Sequence, residues 1–207
     1  LSMASLPRFN PRYFYLFPTN IYKNPAVANL FEPGSVFKPL VMAAAIDAGV
    51  IEPDTKCDST CDQQIKLGSF TIKTWNDQYH PGTTMTEAIV HSDNTGMVFT
   101  ARKLGQDKLH DYLDRFGLGH PTNIDLQEEV GGSLRPAKDW KEADLATISF
   151  CQGIAVTPIQ LITAINAIAN DGKLVSPYFV QAIQDGNTFI PVRHAEQKQV
   201  ISAQTAQ

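Results

Sequence analysis

The sequence predicts a mixed α/β (α+β) fold, mostly helical with a few short strands. Three observations carry this. The run Leu40-Val41-Met42-Ala43-Ala44-Ala45-Ile46-Asp47-Ala48 is apolar on every side and reads as a buried helix. Thr84-Met85-Thr86-Glu87 and Thr157-Pro158-Ile159-Gln160 are strong helix starts, each a Thr cap with Glu or Gln three residues on. Two pairs of short β-prone runs flank turn residues and read as hairpins: Ile65–Leu67 with Phe70–Ile72, and Phe179–Ile183 with Phe189–Val192 around Asp185-Gly186-Asn187.

Taken in order, Leu1–Leu6 reads as a strand. Pro7, Pro11, Pro18 and Pro25 then forbid a long helix. That stretch reads as an extended loop wrapping the domain, anchored by Tyr13, Phe14, Tyr15, Phe17 and Tyr22. Pro33-Gly34 stops whatever precedes it, and a helix with Ser35 in its first turn runs to Gly49. The capping box at Thr84 starts a helix to about His91. Ser92-Asp93-Asn94 breaks it, because all three side chains compete for backbone bonds. Further helices span Thr95 to Leu104, Asp107 to Phe116 and Trp140 to Ile148, and residues 120–138 are loop. The helix capped by Thr157 runs to Asn170, and Ser202 caps another.

The 207 residues are 43% hydrophobic and 18% charged, which is globular and not disordered. A net charge of −4 without a basic patch excludes nucleic acid as the expected partner. No apolar run reaches the ~18 residues of a membrane span. Cys57 and Cys61 lie in a polar loop with no further His or Cys to complete a metal site, so a disulfide or two thiols is expected and no metal. A disulfide would suit an oxidising compartment. Cys151 reads as a small buried residue.

Ser35-Val36-Phe37-Lys38 carries the chemistry. Residues three apart share a helix face, so the Lys38 amine can lie against the Ser35 hydroxyl and act as its base. Ser-x-x-Lys is also a common accident at helix starts. Pro39 adds a second signal, since a residue before proline is pushed away from helical dihedrals. Ser92-Asp93-Asn94 is the second polar corner; alone it reads as a helix stop with Asn94 as cap and Asp93 as a turn residue. His91 beside Ser92 has no third partner and points elsewhere. His80, His110, His120 and His194 read as surface or loop residues, and Glu128-Glu129 as solvated acids.

Together the two corners resemble the penicillin-recognising serine enzymes, in which Ser-x-x-Lys is followed by Ser-x-Asn and then Lys-Thr-Gly. Met3–Pro11, Glu32–Pro39, and Gln152–Leu161 with Ala169-Asn170-Asp171-Gly172 are similar, in order, to the transpeptidase domain of class B penicillin-binding proteins. The Lys-Thr-Gly is absent: Lys73-Thr74 precedes Trp75 and lies before Ser92. The resemblance therefore implies a partial transpeptidase domain over residues 1–207, its helical part plus edge strands, weak or inactive by itself.

The resemblance also implies a peptidoglycan D,D-transpeptidase without cofactor. Ser35 would be the nucleophile acylated by D-Ala-D-Ala stem peptides or β-lactams. Lys38 would be the base, held neutral by burial, its helix end and a nearby cation. Ser92 would relay a proton, and Asn94 would hold Lys38 and bind a substrate carbonyl. The Ser35 N–H would supply half an oxyanion hole. It further implies a glycosyltransferase partner, an N-terminal membrane anchor, and a place outside the bacterial cytoplasmic membrane in cell division or cell shape. The alternatives are a serine β-lactamase or D,D-carboxypeptidase, and a non-catalytic β-lactam-binding sensor or scaffold.

Overall fold

The computed structural model describes residues 3–194 and 196–207. The expected opening strand does not form over Met3–Leu6, and Leu1 and Ser2 lie outside the described residues. No ladder partner lies beside Met3–Leu6 among the described residues, and an unpaired strand leaves its backbone groups unbonded. Pro11–Leu16 and Thr19–Ile21 are 3₁₀ turns, followed by α1 (Pro25–Ala28), which the Asn24 side chain caps.

The aromatic side chains of this stretch are not core anchors as expected. Tyr13, Phe14 and Tyr15 are exposed, and only Val27 is buried among the described residues 3–31. The proline-held turns close on themselves, so the rings meet one another instead. Phe9 packs on Tyr22 at 4.9 Å, and the Tyr22 hydroxyl donates to the carbonyls of Phe14 and Phe17 at 2.6 and 3.0 Å.

A 3₁₀ turn, Gly34–Phe37, leads directly into α2 (Lys38–Asp47). Lys38, Leu40, Val41, Met42, Ala43, Ala44 and Ala45 are all buried, so α2 is the central rod of the core. It stops where expected: Gly49 takes φ +67, its N–H reaches Ile46 O at 2.9 Å, and Val50 N–H reaches Ala45 O at 3.1 Å. This is the two-bond helix end that favours glycine at its left-handed position.

The Cys57–Cys61 pair is a disulfide. β1 (Ile65–Leu67) and β2 (Phe70–Ile72) form the expected hairpin, with Leu67 opposite Phe70. The capping box of Thr84 and Glu87 starts α3 (Met85–Val90). After the corner come α4 (Asn94–Leu104) and α5 (Gln106–Arg115). In the following loop Glu129 is not simply solvated. It accepts from the Thr122 N–H and hydroxyl and the Asn123 N–H, while Glu128 is exposed and pairs with Lys23 at 3.7 Å.

Next are α6 (Glu142–Ile148) and α7 (Pro158–Ala169), the latter with its expected Thr157–Gln160 capping box. The Gln160 amide, 1% exposed, also donates to His120 O and Gly131 O, which ties the long loop to α7. β3 (Lys173–Leu174), β4 (Ala182–Asp185), β5 (Thr188–Pro191), β6 (Lys198–Gln199) and α8 (Ala203–Ala206) complete the order. Each described sheet has two strands: β1-β2, β3-β6 and β4-β5, all antiparallel. The second hairpin is tighter than expected, turning on Gly186-Asn187 alone because Asp185 pairs with Thr188.

Helices α4, α5, α7 and α8 pack around α2. Asp47 fastens its far end: its carboxylate accepts from Tyr112 OH, Ser202 N–H and Thr205 OH at 2.8, 2.7 and 3.0 Å. Burial alone would raise this carboxyl, but those bonds outweigh it and hold the pKa below the usual value. At the other end of the packing, Gly96 lets α4 approach α3. A Cβ there would stand 2.7 Å from Ala88 Cβ.

Gly96→Ala is expected to destabilise the chain by about 1–3 kcal/mol through overpacking, read from denaturant unfolding. Asp47→Asn should lower stability near neutral pH. The depressed pKa makes the carboxylate's contribution present above the unfolded value of about 3.9 and lost as pH falls through the lower folded value. The gap between wild type and variant should therefore narrow in acid, and a gap unchanged across that window would refute the ionic contribution.

Candidate active site

Ser35 stands on the rim and Lys38 lies beneath it. Ser35 is exposed, whereas Phe37 and Lys38 are 0% and 2% exposed. The turn that carries them is 3₁₀ and not the α-helical turn expected. Three residues per turn bring i and i+3 almost into register. Lys38 nevertheless takes helical dihedrals, φ −52 and ψ −39, despite the proline after it. Pro39 sits in the first turn of α2, where a missing N–H costs nothing.

The Lys38 amine reaches across to the second corner. Its Nζ is 2.6 Å from Ser92 O, 3.0 Å from Ser92 Oγ and 2.8 Å from Asn94 Oδ1. Three acceptors match the three protons of an ammonium. Among the described residues no hydrogen bond joins Lys38 to Ser35, so the first expected contact is replaced by these three. Once neutral, the amine needs only two acceptors and offers a lone pair to a hydroxyl proton.

Burial is the main influence on Lys38. It lowers the pKa from 10.5 to about 8, against the nearby Asp93 carboxylate, which raises it. The expected neighbouring cation is thus replaced by an anion that opposes the shift. At pH 7 roughly a tenth of the lysine is neutral.

The corner itself comes from how α3 ends. Ser92 N–H bonds Ile89 O at 3.0 Å and Asp93 N–H bonds Ala88 O at 2.8 Å, with Ser92 at φ +54. This is the same helix end as at Gly49, with serine in the glycine position, at a cost of about 1–2 kcal/mol. The tight turn presents both the carbonyl and the hydroxyl of one residue to Lys38. Sequence reasoning missed this geometry because its usual marker is glycine.

Asp93 is neither a plain turn residue nor exposed. It is 2% exposed and caps α4 in place of Asn94, its Oδ1 accepting from Thr95 N, Thr95 Oγ1 and Gly96 N at 2.7, 2.7 and 3.4 Å. Asn94 is freed to bridge. Its Oδ1 accepts from Lys38 and its Nδ2 donates to Lys73 O at 2.8 Å, leaving one amide proton over. The Lys73-Thr74 segment therefore touches the site through its backbone. The Lys73 side chain pairs instead with Asp77 at 3.2 Å. His91 points away, as expected, and stacks on His80 at 4.6 Å.

A second support lies behind Ser35. Phe31 and Val156 exchange both backbone bonds at 3.0 Å, and Glu32 Oε1 accepts from Gly153 N–H at 3.0 Å. Cys151, at φ +59, closes α6 with the same pair of bonds, Cys151 N–H to Ile148 O and Gln152 N–H to Thr147 O. Burial pushes its thiol up to about 12, with a Gly34 N–H opposing and Glu32 assisting. Cys151 is thus an uncharged packing residue beside the turn that carries Ser35. Among the described residues no group of three His, Cys, Asp or Glu could hold a metal, and no helix is long and apolar enough to cross a membrane.

An exposed serine three residues from a buried, hydrogen-bonded lysine, with a second Ser-x-Asn corner bonded to that lysine, sits on a helical core. A family model described as the penicillin binding protein transpeptidase domain matches residues 1–207, and the chain belongs to that family. It is 34% identical to stage V sporulation protein D of Bacillus subtilis, covering 100% of this chain and 32% of that protein. It is 29% identical to the peptidoglycan D,D-transpeptidase MrdA of Salmonella typhimurium, covering 93% and 34%. The crystal structure of penicillin binding protein 3 from Mycobacterium tuberculosis complexed with aztreonam superposes with a TM-score of 0.80 at 31% identity, covering 88% of this chain and 41% of that one. The chain spans about a third of the length of these curated relatives.

Lysine-selective NMR titration is expected to show one amine, Lys38, with an apparent pKa near 8 and not near 10.5. Asp93→Asn removes the raising charge and should move that titration to lower pH. A Lys38 resonance that titrates near 10.5 would contradict the buried geometry.

Proposed function

We propose that the protein is a peptidoglycan D,D-transpeptidase, with residues 1–207 forming transpeptidase-domain sequence and Ser35, Lys38, Ser92 and Asn94 as its catalytic and substrate-binding residues. The observation that carries the reading is the three-bond seat of Lys38 on Ser92 and Asn94, with an exposed Ser35 three residues before it on the same turn. Relatives named as peptidoglycan D,D-transpeptidases support the reaction class.

Neutral Lys38 takes the Ser35 proton as Oγ attacks the penultimate D-Ala carbonyl of a stem peptide. The carbonyl oxygen gathers negative charge near the Ser35 N–H, which supplies one oxyanion donor. The terminal D-Ala leaves as an amine, taking its proton from the lysine through the Ser92 hydroxyl, which donates and accepts at once. An amine from a neighbouring stem then attacks the acyl-serine, and the proton returns to Ser35 by the reverse route. The free Asn94 amide proton orients a substrate carbonyl. A β-lactam enters by the same first step, but its ring opening leaves no departing fragment, so Ser35 stays acylated. Such chemistry belongs on the extracytoplasmic face of the bacterial membrane, in division or shape maintenance beside a glycosyltransferase.

The test is covalent labelling of the full-length gene product by a fluorescent penicillin, followed by peptide mapping. The adduct should lie on Ser35, and Ser35→Ala should abolish it. Ser92→Ala should slow acylation by about 10²-fold or more if it relays the proton. An adduct that survives Ser35→Ala, or a folded protein that takes no label, would overturn the assignment.

A further inference from the structure

The aromatic turns near the start of the chain take no part in the Lys38 site, and their rings join into one patch. Ring centroids link Tyr15 to Phe14 at 5.8 Å and Phe14 to Tyr22 at 6.4 Å. They link Tyr22 to Phe9 at 4.9 Å and Phe9 to Phe17 at 6.2 Å. The patch is open to solvent: Phe14, Tyr15 and Leu16 are 53%, 67% and 70% exposed. It is also held in shape. The Tyr22 hydroxyl ties the Phe14 and Phe17 carbonyls, and the Asn10 side chain caps the turn from Pro11 to Leu16. A contiguous exposed apolar surface of this kind marks an interaction site, and a preformed one needs little ordering when its partner arrives.

The charges carried by this segment are all of one sign. Residues 1–31 contain Arg8, Arg12 and Lys23 and no Asp or Glu, although the whole chain has a net charge of −4. All three cations are exposed. Arg8 and Lys23 share a shallow cleft of about 170 Å³ with Phe9 and Tyr22, so positive charge adjoins the rings. Lys23 meets Glu128 of the long loop at 3.7 Å. Among the described residues no carboxylate pairs with Arg8 or Arg12. An anionic partner is therefore favoured. The apolar part decides its class. A sugar strand stacks on flat rings, and Leu16 offers it none, whereas hydrocarbon accepts aliphatic and aromatic groups alike. Tyrosine beside basic residues is the composition that suits the boundary between lipid and water.

We propose that this face docks on the surface of a bilayer that contains anionic lipid. Phe14, Tyr15 and Leu16 enter the boundary between headgroups and acyl chains, and Arg8, Arg12 and Lys23 meet the lipid phosphates. The contact is made by the folded surface itself and needs no membrane-spanning segment. It is independent of Ser35 and Lys38.

The test is co-sedimentation of the chain with vesicles of phosphatidylcholine containing phosphatidylglycerol, and with vesicles of phosphatidylcholine alone. Binding to the anionic vesicles is expected, weaker on the neutral ones and falling as salt is raised. Arg8→Glu together with Arg12→Glu should lower affinity for the anionic vesicles at least about tenfold. Tyr15→Ser together with Leu16→Ser should lower it by about tenfold on both kinds of vesicle. All four positions are exposed, and circular dichroism checks that the variants fold. Tyr15→Trp supplies a probe that needs no loss of affinity: its emission should shift to the blue on anionic vesicles. No sedimentation with anionic vesicles, indifference to both pairs of substitutions, or an unshifted emission overturns the proposal. So does retention on purified glycan strands, or saturable binding of inorganic phosphate, without binding to vesicles. None of these readouts requires Ser35, so their failure is distinct from failure of the penicillin-labelling test.

Discussion

A lysine amine shut inside a protein core must find acceptors, and much of this structure follows from where Lys38 finds them. Moving an ammonium out of water costs several kcal/mol unless its protons are bonded. The helix that carries Lys38 cannot supply three acceptors at its own first turn. They come from another part of the chain, Ser92 and Asn94, 54 and 56 residues later. Burial and bonding then act in opposite directions on the proton. Burial makes the amine ready to lose it, while the Asp93 charge and the oxygen acceptors keep it from being lost outright. The outcome, a pKa of about 8, lets the amine exchange its proton not far above neutral pH.

That seat depends on two helix ends. Both α3 and α6 close with the bond pair that usually calls for glycine, and both put a side chain there instead, Ser92 and Cys151. Ser92 faces the lysine, and Cys151 packs beneath the turn that carries Ser35. Residues held in the left-handed region at a cost cluster at functional sites, because the surrounding packing must hold them. Here it does so through Gly96 against Ala88 on one side and the Phe31–Val156 bridge on the other.

Asp93 joins these features. One carboxylate oxygen holds the start of α4, its charge raises the Lys38 pKa against burial, and its other oxygen is buried without a partner among the described residues.

Much of this was legible in local sequence. Capping boxes at Thr84 and Thr157, the helix stop at Gly49 and the first hairpin depend on neighbours within a few residues, and the structure has them where the residue order puts them. The apolar run of α2 announced its burial in the same way, and the two Ser-containing motifs are the corners that Lys38 joins. What only the tertiary structure decided is anything that needs a partner far along the chain. The aromatic residues near the start pack on each other because the core beneath α2 is filled by α4, α5, α7 and α8. Asp93, and not Asn94, became the cap because Asn94 was needed to bridge Lys38 and Lys73. The amine turned from Ser35 to Ser92 because a buried ammonium takes the acceptors that long-range packing brings to it. Hydrogen-bond demand is written in each residue, but its satisfaction is settled only when distant segments meet.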